Sequence, residues 1–178
     1  NGNTDISENW FLYVKIELEK IGLKVIAENM PDPDSARKEH WLPFIDKKLK
    51  GDENVILIGH SSGAVAILKY LETHRAKGAV FVGCYYSDLG NEKEKASGYF
   101  DEVWKWNKIK ENLGWGVIFA STDDPYIPIE EARHIRDKLE AEYHEYNDEG
   151  HFGSDVNKTE FPEIIEIIKK KLSKKSLI

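Results

Sequence analysis

The sequence predicts an α/β fold, a mostly parallel central sheet with helices on both faces. Three observations carry this. Short apolar runs alternate with stretches of helical periodicity along the 178 residues, the order that builds βαβ units. Most of the runs lack polar alternation, as expected for strands covered on both sides. One run ends in a glycine-flanked serine and passes directly into a helical stretch.

The elements follow in order. Trp10, Val14, Leu18 and Ile21 are spaced as one helical face. Leu23–Ala27 predicts a strand. Asn29–Asp34 holds Pro31 and Pro33 and predicts a loop, because proline breaks both ladders. A helix ending near Leu49 precedes a strand at Val55–Ile58 and a helix from Ala64. Ala79–Val82 predicts the next strand. Gly83–Ser97 predicts a long loop with Tyr85, Tyr86 and a solvated Glu92–Lys95 charge run; loops of this length are often functional. Gly116–Ala120 predicts a strand, and Ile129, Ala132, Ile135 and Leu139 a helical face. Ala141–Tyr146 alternates polar and aromatic residues, which suits a sheet edge. Pro162 fits the first turn of a last helix, with Ile164, Ile165, Ile168 and Leu172 on its buried side.

The length suits one domain over residues 1–178. The net charge of −7 argues against nonspecific nucleic-acid binding, which needs Lys and Arg to neutralise phosphates. The Lys169–Lys171 and Lys174–Lys175 clusters read as a solvated helix end. No run approaches a membrane span of about 20 apolar residues, and no secretory pattern opens the chain. Cys84 is the one cysteine, so a reducing, cytoplasmic location is expected, the nucleus included. No metal-binding spacing or phosphate loop is present, so no cofactor is expected.

Gly59-His60-Ser61-Ser62-Gly63 sits between the Val55–Ile58 strand and the following helix. Strand, Gly-x-Ser-x-Gly, helix is the nucleophile elbow of α/β hydrolases. The turn forces strained backbone on the serine, and glycines let strand and helix approach. Ser61 is then the candidate nucleophile, and the Ser62 N–H at the helix start a candidate oxyanion donor. Ser62 occupies an x position that points toward the helix, so it is not expected to attack.

A nucleophilic serine needs a base and a carboxylate, in chain order Ser, Asp or Glu, His. His40 breaks that order. His60 lies inside the motif, and His74, His134 and His144 fall on predicted helices or a strand. His151 alone lies in a loop after the last strand, so it is the candidate base. Asp123 and Asp124 follow the Gly116–Ala120 strand at the same carboxyl edge of the sheet. Spacing does not choose between them.

These residues resemble a known family. Ile58–Ala64 and Asn29–Pro33, with Tyr86–Gly90, Ala96–Phe100, Ser121–Pro125 and Gly150–Phe152, resemble the retinoblastoma-binding serine hydrolase family, also called the RBBP9/YdeN family. The resemblance implies an α/β hydrolase without a large lid. It also implies a triad of Ser61, Asp124 and His151, and so favours Asp124 over Asp123. Such proteins open with a strand ending in Pro-Gly-Asn-Gly. Here the chain starts at Asn1-Gly2-Asn3, so a first strand upstream of residue 1 is expected. The family's Leu-x-Cys-x-Glu segment reads Leu49-Lys50-Gly51-Asp52-Glu53. With Gly51 in place of the cysteine, binding to retinoblastoma-type proteins is not expected.

The resulting expectation is hydrolysis of small ester, amide or short peptide substrates through an acyl-enzyme. A second oxyanion donor is expected from Gly2 or Asn3, by analogy with the fold. Trp10, Tyr85, Tyr86, Phe100 and Trp104 are candidates for an apolar substrate pocket, each equally suited to the core. The alternatives are a protein-interaction module that retains the fold, or an acyl-protein thioesterase.

Overall fold

In the computed structural model, residues 5–173 are described. The elements run α1 (Phe11–Lys20), α2 (Lys38–Leu49), β1 (Ile56–His60), α3 (Ser62–Tyr70), β2 (Gly78–Val82) and α4 (Glu92–Ala96). They continue with α5 (Trp106–Asn112), β3 (Gly116–Ser121), α6 (Ile129–Leu139), β4 (Glu142–Tyr146) and α7 (Pro162–Ser173). Two compact units result: Met30–Phe152, and residues 5–29 together with 153–173.

The first unit contains the sheet. Its strand order is β1-β2-β3-β4, and every pairing is parallel, with Ile58 opposite Val80, Phe81 opposite Ile118 and Ala120 opposite Glu145. Each consecutive pair is joined through helix, as parallel pairing requires. All five residues of β2 are buried, and β3 is buried from Val117 onward. That is why both read as apolar runs without alternation. Phe81 and Phe119 are wholly buried, each worth about 1.5–3 kcal/mol of transfer free energy. β4 (Glu-Tyr-His-Glu-Tyr) ends the order, and its polar residues pair outside the core: Glu145 takes two hydrogen bonds from Arg133, at 3.0 and 2.7 Å.

α3 is buried along nearly its whole length. Lys69, in its last turn, forms a buried ion pair at 3.1 Å with Glu72 just past its end. Glu72 also accepts the Lys105 backbone N–H at 3.1 Å, and the Lys69 ammonium lies 5.1 Å from the Trp104 ring centre. Unpaired, either charge would be costly to bury. Paired, they tie the segment before α5 to α3.

In the second unit, α1 and α7 pack together. Val14 and Leu18 of α1 and Ile164, Ile165, Ile167 and Ile168 of α7 are buried. Ile21 departs from the predicted face: the helix stops at Lys20, and Ile21 is exposed.

Leu23–Ala27 is a correction. Its residues alternate half-buried and exposed, as a strand's would. However, no ladder joins it to any strand among the described residues, and a strand exists only through its partner's hydrogen bonds. The expected first strand would precede residue 1 and lies outside the described residues. The Glu92–Lys95 run within the long loop is helix α4. Asn91 caps it, its Oδ1 accepting the N–H groups of Lys93 and Glu94 at 2.8 and 3.4 Å. Among the described residues no helix is long and apolar enough to cross a membrane.

Candidate active site

β1, β3 and β4 are parallel strands of one sheet, so residues just past their carboxyl ends share an edge. Ser61 follows β1, Asp124 follows β3, and His151 follows β4. All three lie in the Met30–Phe152 unit.

Ser61 has φ 55° and ψ −121°, a backbone state that costs a non-glycine residue about 1–3 kcal/mol. The surroundings hold it there. Its N–H donates to the Val82 carbonyl at 2.9 Å, and its carbonyl accepts from Ala64 and Val65 at 2.9 and 3.2 Å. Gly59 makes the turn possible: a Cβ there would lie 2.5 Å from the Gly63 carbonyl oxygen and 2.7 Å from the Ala64 nitrogen. Gly63 is different. A Cβ on it would meet nothing within 4 Å, so close approach requires one of the two motif glycines rather than both.

Ser62 is the first residue of α3, which puts its N–H at the helix N-terminus, where anions are favoured. Its side chain is buried, and its hydroxyl lies 3.1 Å from the Tyr85 hydroxyl. Tyr85 in turn donates to Glu94 at 2.6 Å. Gly2 and Asn3, the other expected oxyanion donors, lie outside the described residues.

The two adjacent aspartates have separate partners. Asp124 Oδ2 lies 2.7 Å from His151 Nδ1. Its Oδ1 accepts the N–H groups of Tyr126 and Ile127 at 2.8 and 3.0 Å. With its carboxylate 3% exposed, Asp124 is oriented from both sides. Asp123 Oδ1 instead accepts the Ser121 hydroxyl at 2.5 Å and the Gly150 N–H at 2.9 Å. The Ser121 hydroxyl also accepts the Glu149 N–H at 3.2 Å. Asp123 therefore holds the loop that carries His151, and the Ser121 hydroxyl bond keeps its carboxyl below the usual range.

Sequence reasoning missed several members of this site. His60 Nε2 lies 2.7 Å from the His151 carbonyl oxygen; a carbonyl only accepts, so Nε2 carries the proton. The two imidazole centres are 4.8 Å apart. Burial, then the His151 charge, push the His60 pKa down to about 3, so it stays neutral. Gly83, at φ +53°, leaves room for the His151–Asp124 pair: a Cβ there would meet the His151 ring at 3.0 Å and Asp124 Oδ2 at 3.8 Å. A glycine directly after a central strand was the available signal for it. The polar residues at the end of β3 were the signal for Ser121.

The pocket candidates divide. Trp10 is a correction: at 2% exposed, with its ring against Phe11 and Phe161 at 4.8 and 5.3 Å, it is core of the second unit. The other four form one aromatic cluster. Tyr85 meets Phe100 at 5.9 Å, and Phe100 meets Trp104 at 6.3 Å. The Trp104 indole donates to the Tyr86 carbonyl at 2.7 Å, and Tyr86 stacks on His134 at 4.1 Å. Phe100 and Tyr86 are half-buried, and Tyr85 is buried. Among the described residues no group of three His, Cys, Asp or Glu is arranged to hold a metal.

Comparison with known proteins gives the family and the fold. A serine hydrolase family model matches residues 3–170. The chain is 45% identical over 175 residues to the serine hydrolase RBBP9 of Rattus norvegicus, covering 97% of this chain and 92% of that protein. It is 28% identical over 178 residues to the putative hydrolase YdeN of Bacillus subtilis strain 168, covering 96% of this chain and 92% of the other. The crystal structure of the B. subtilis ydeN product superposes with a TM-score of 0.87 at 25% identity, over 96% and 94% of the two chains. Est1E of Butyrivibrio proteoclasticus, solved with ferulic acid, shares the fold at a TM-score of 0.75 and 12% identity, over 96% and 86% of the chains. The fold is that of the α/β hydrolases, and the chain belongs to the serine hydrolase family.

Proposed function

We propose that this serine hydrolase cleaves small esters, amides or short peptides through Ser61, His151 and Asp124. The carrying observation is the 2.7 Å contact between His151 Nδ1 and Asp124 Oδ2, at the sheet edge where Ser61 holds its strained turn. With Nδ1 bound to Asp124, the other ring nitrogen, Nε2, is left as the base. It takes the Ser61 proton as Oγ attacks the substrate carbonyl. The resulting oxyanion is met by the Ser62 N–H at the start of α3, with an N–H from Gly2 or Asn3 as the second donor. His151 then protonates the leaving group, and water attacks the acyl-enzyme by the same steps. Asp124 holds the imidazole in the required tautomer and offsets its transient charge.

The half-buried rings of Phe100 and Tyr86 are the candidates for the apolar substrate pocket. Cys84 takes no part: it is buried, and burial raises its thiol pKa. A lone buried thiol suits a reducing, cytoplasmic setting. Segment 49–53 does not serve pocket-protein recognition in this reading. Lys50 and Gly51 take left-handed φ of 53° and 75°, which curls the segment into a turn where an extended peptide would be needed.

The test is labelling with a fluorophosphonate and mapping of the modified residue, alongside Ser61→Ala. The expected result is a single adduct on Ser61 and a loss of about 10⁴–10⁶ in kcat on activated esters for the variant. An adduct elsewhere, or a Ser61→Ala variant with most of its activity, overturns the reading.

A further inference from the structure

Of the large apolar side chains in the Met30–Phe152 unit, Val103 and Tyr126 are the exposed ones among the described residues. An isolated exposed apolar residue is ordinary, and Val103 needs no further account. Tyr126 differs in where it stands. The residue is 63% exposed, yet its ring centre lies 5.2 Å from that of His151, at an interplanar angle of 80°. This is the edge-to-face geometry that aromatic pairs prefer.

The backbone under that ring is held on both sides. The Tyr126 N–H donates to Asp124 Oδ1 at 2.8 Å. The next residue, Ile127, donates to the same oxygen at 3.0 Å and is itself buried. The backbone that carries this aromatic ring is thus pinned to the carboxylate that meets His151. Its hydroxyl has no partner among the described residues. Holding a large apolar surface in water against the Asp124-bound imidazole stabilises the free protein little. Holding it there for a ligand lowers the ordering cost of binding.

Which part of a substrate it meets follows from the chemistry, and this step rests on the reading of Ser61 and His151 given above. His151 delivers its proton to the leaving alcohol or amine, so that group must come within hydrogen-bond reach of the imidazole. A ring in contact with the imidazole therefore flanks the leaving group. We propose that Tyr126 is a specificity-determining contact for the leaving group, favouring aromatic or bulky apolar alcohols and amines over small ones.

The test keeps the acyl group constant and varies the leaving group. Values of kcat/KM for benzyl acetate and methyl acetate are measured for the parent protein, Tyr126→Ala and Tyr126→Phe. The benzyl-to-methyl ratio is expected to fall about five- to tenfold in Tyr126→Ala, the scale of one aromatic contact, and to persist in Tyr126→Phe. A ratio within twofold of the parent in Tyr126→Ala overturns the proposal, and so does an equal loss on both esters, which would mark Tyr126 as a support for His151. Ser61→Ala, run in parallel, separates this inference from the reading beneath it. If that variant is inactive and the ratio is unchanged, the Tyr126 proposal alone falls. If it still hydrolyses both esters, the assignment of Ser61 falls and takes the proposal with it.

Discussion

At the end of β1, Ser61 is held in its strained turn chiefly by near neighbours, with one hydrogen bond from its N–H to the Val82 carbonyl of β2. At the end of β4, the loop that carries His151 is held by residues from three other places in the chain. Ser121 and Asp123 bind the N–H groups of Glu149 and Gly150, Asp124 meets the imidazole, and His60 meets the His151 carbonyl. Gly83 leaves room for the ring. The elbow is mainly a local object, set by the steric demand of one glycine and by hydrogen bonds at the start of α3, with a single bond to β2. The histidine loop is assembled from a distance by hydrogen bonds. This difference teaches where each is vulnerable: the elbow to added volume, the loop to lost polar partners.

The largest effect should come from the polar side. Asp124→Asn is expected to lower kcat by about 10⁴, because the amide no longer selects the tautomer that leaves a base facing the serine. Asp123→Asn keeps an acceptor oxygen toward Ser121 and Gly150 and should cost far less. Steady-state kinetics on an activated ester, with urea melts to match stabilities, separate the two. Equal losses at equal stability would erase the distinction between the adjacent aspartates.

The elbow should break through sterics. Gly59→Ala puts a methyl group 2.5 Å from the Gly63 carbonyl oxygen, with backbone on the far side that cannot move independently. Its cost should fall in the tail above about 4 kcal/mol, read as loss of the folded state in urea or in soluble yield. Gly63→Ala meets open space and should leave the urea midpoint nearly unchanged. Similar stability in the two variants would show that the turn does not depend on that contact.

A subtler effect tests the His60 link between the two regions. The native His60 pKa of about 3 lies below the ordinary value near 6.5. Below pH 6.5 the unfolded chain binds a proton that the native state refuses. His60 thus contributes its full stability above pH 6.5 and loses it as pH falls toward 3, by up to about 1.4 kcal/mol per pH unit. His60→Gln retains an N–H to donate to the His151 carbonyl but does not titrate. The stability difference between parent and variant, from urea melts at several pH values, should therefore shift toward the variant as pH falls. Parallel curves would mean that His60 protonates freely in the native state.

Much of this is legible in the residues alone. Ser61 is, because strand, glycine, serine and helix lie within a short stretch and the strain is a property of that stretch. Four of the five predicted strands form, because a strand covered on both faces must be apolar throughout, and that pattern survives in one dimension. The fifth, Leu23–Ala27, has a strand's alternation without a partner among the described residues, and no sequence window can supply a partner's hydrogen bonds. Chain order and loop position single out His151. They leave Asp123 and Asp124 tied, because two adjacent residues share every spacing.

The sequence by itself determined the alternation of elements, the elbow and the class of chemistry, since each depends on volume, periodicity or strain among near neighbours. Tertiary structure decided which aspartate meets His151, that His60 meets the His151 carbonyl, and that Trp10 belongs to a core. It also decided that Gly83, silent in the sequence, makes room for the imidazole. These are questions of direction and distance between residues far apart in the chain. Hydrogen bonds and van der Waals contacts act over a few ångströms, so only the folded chain answers them.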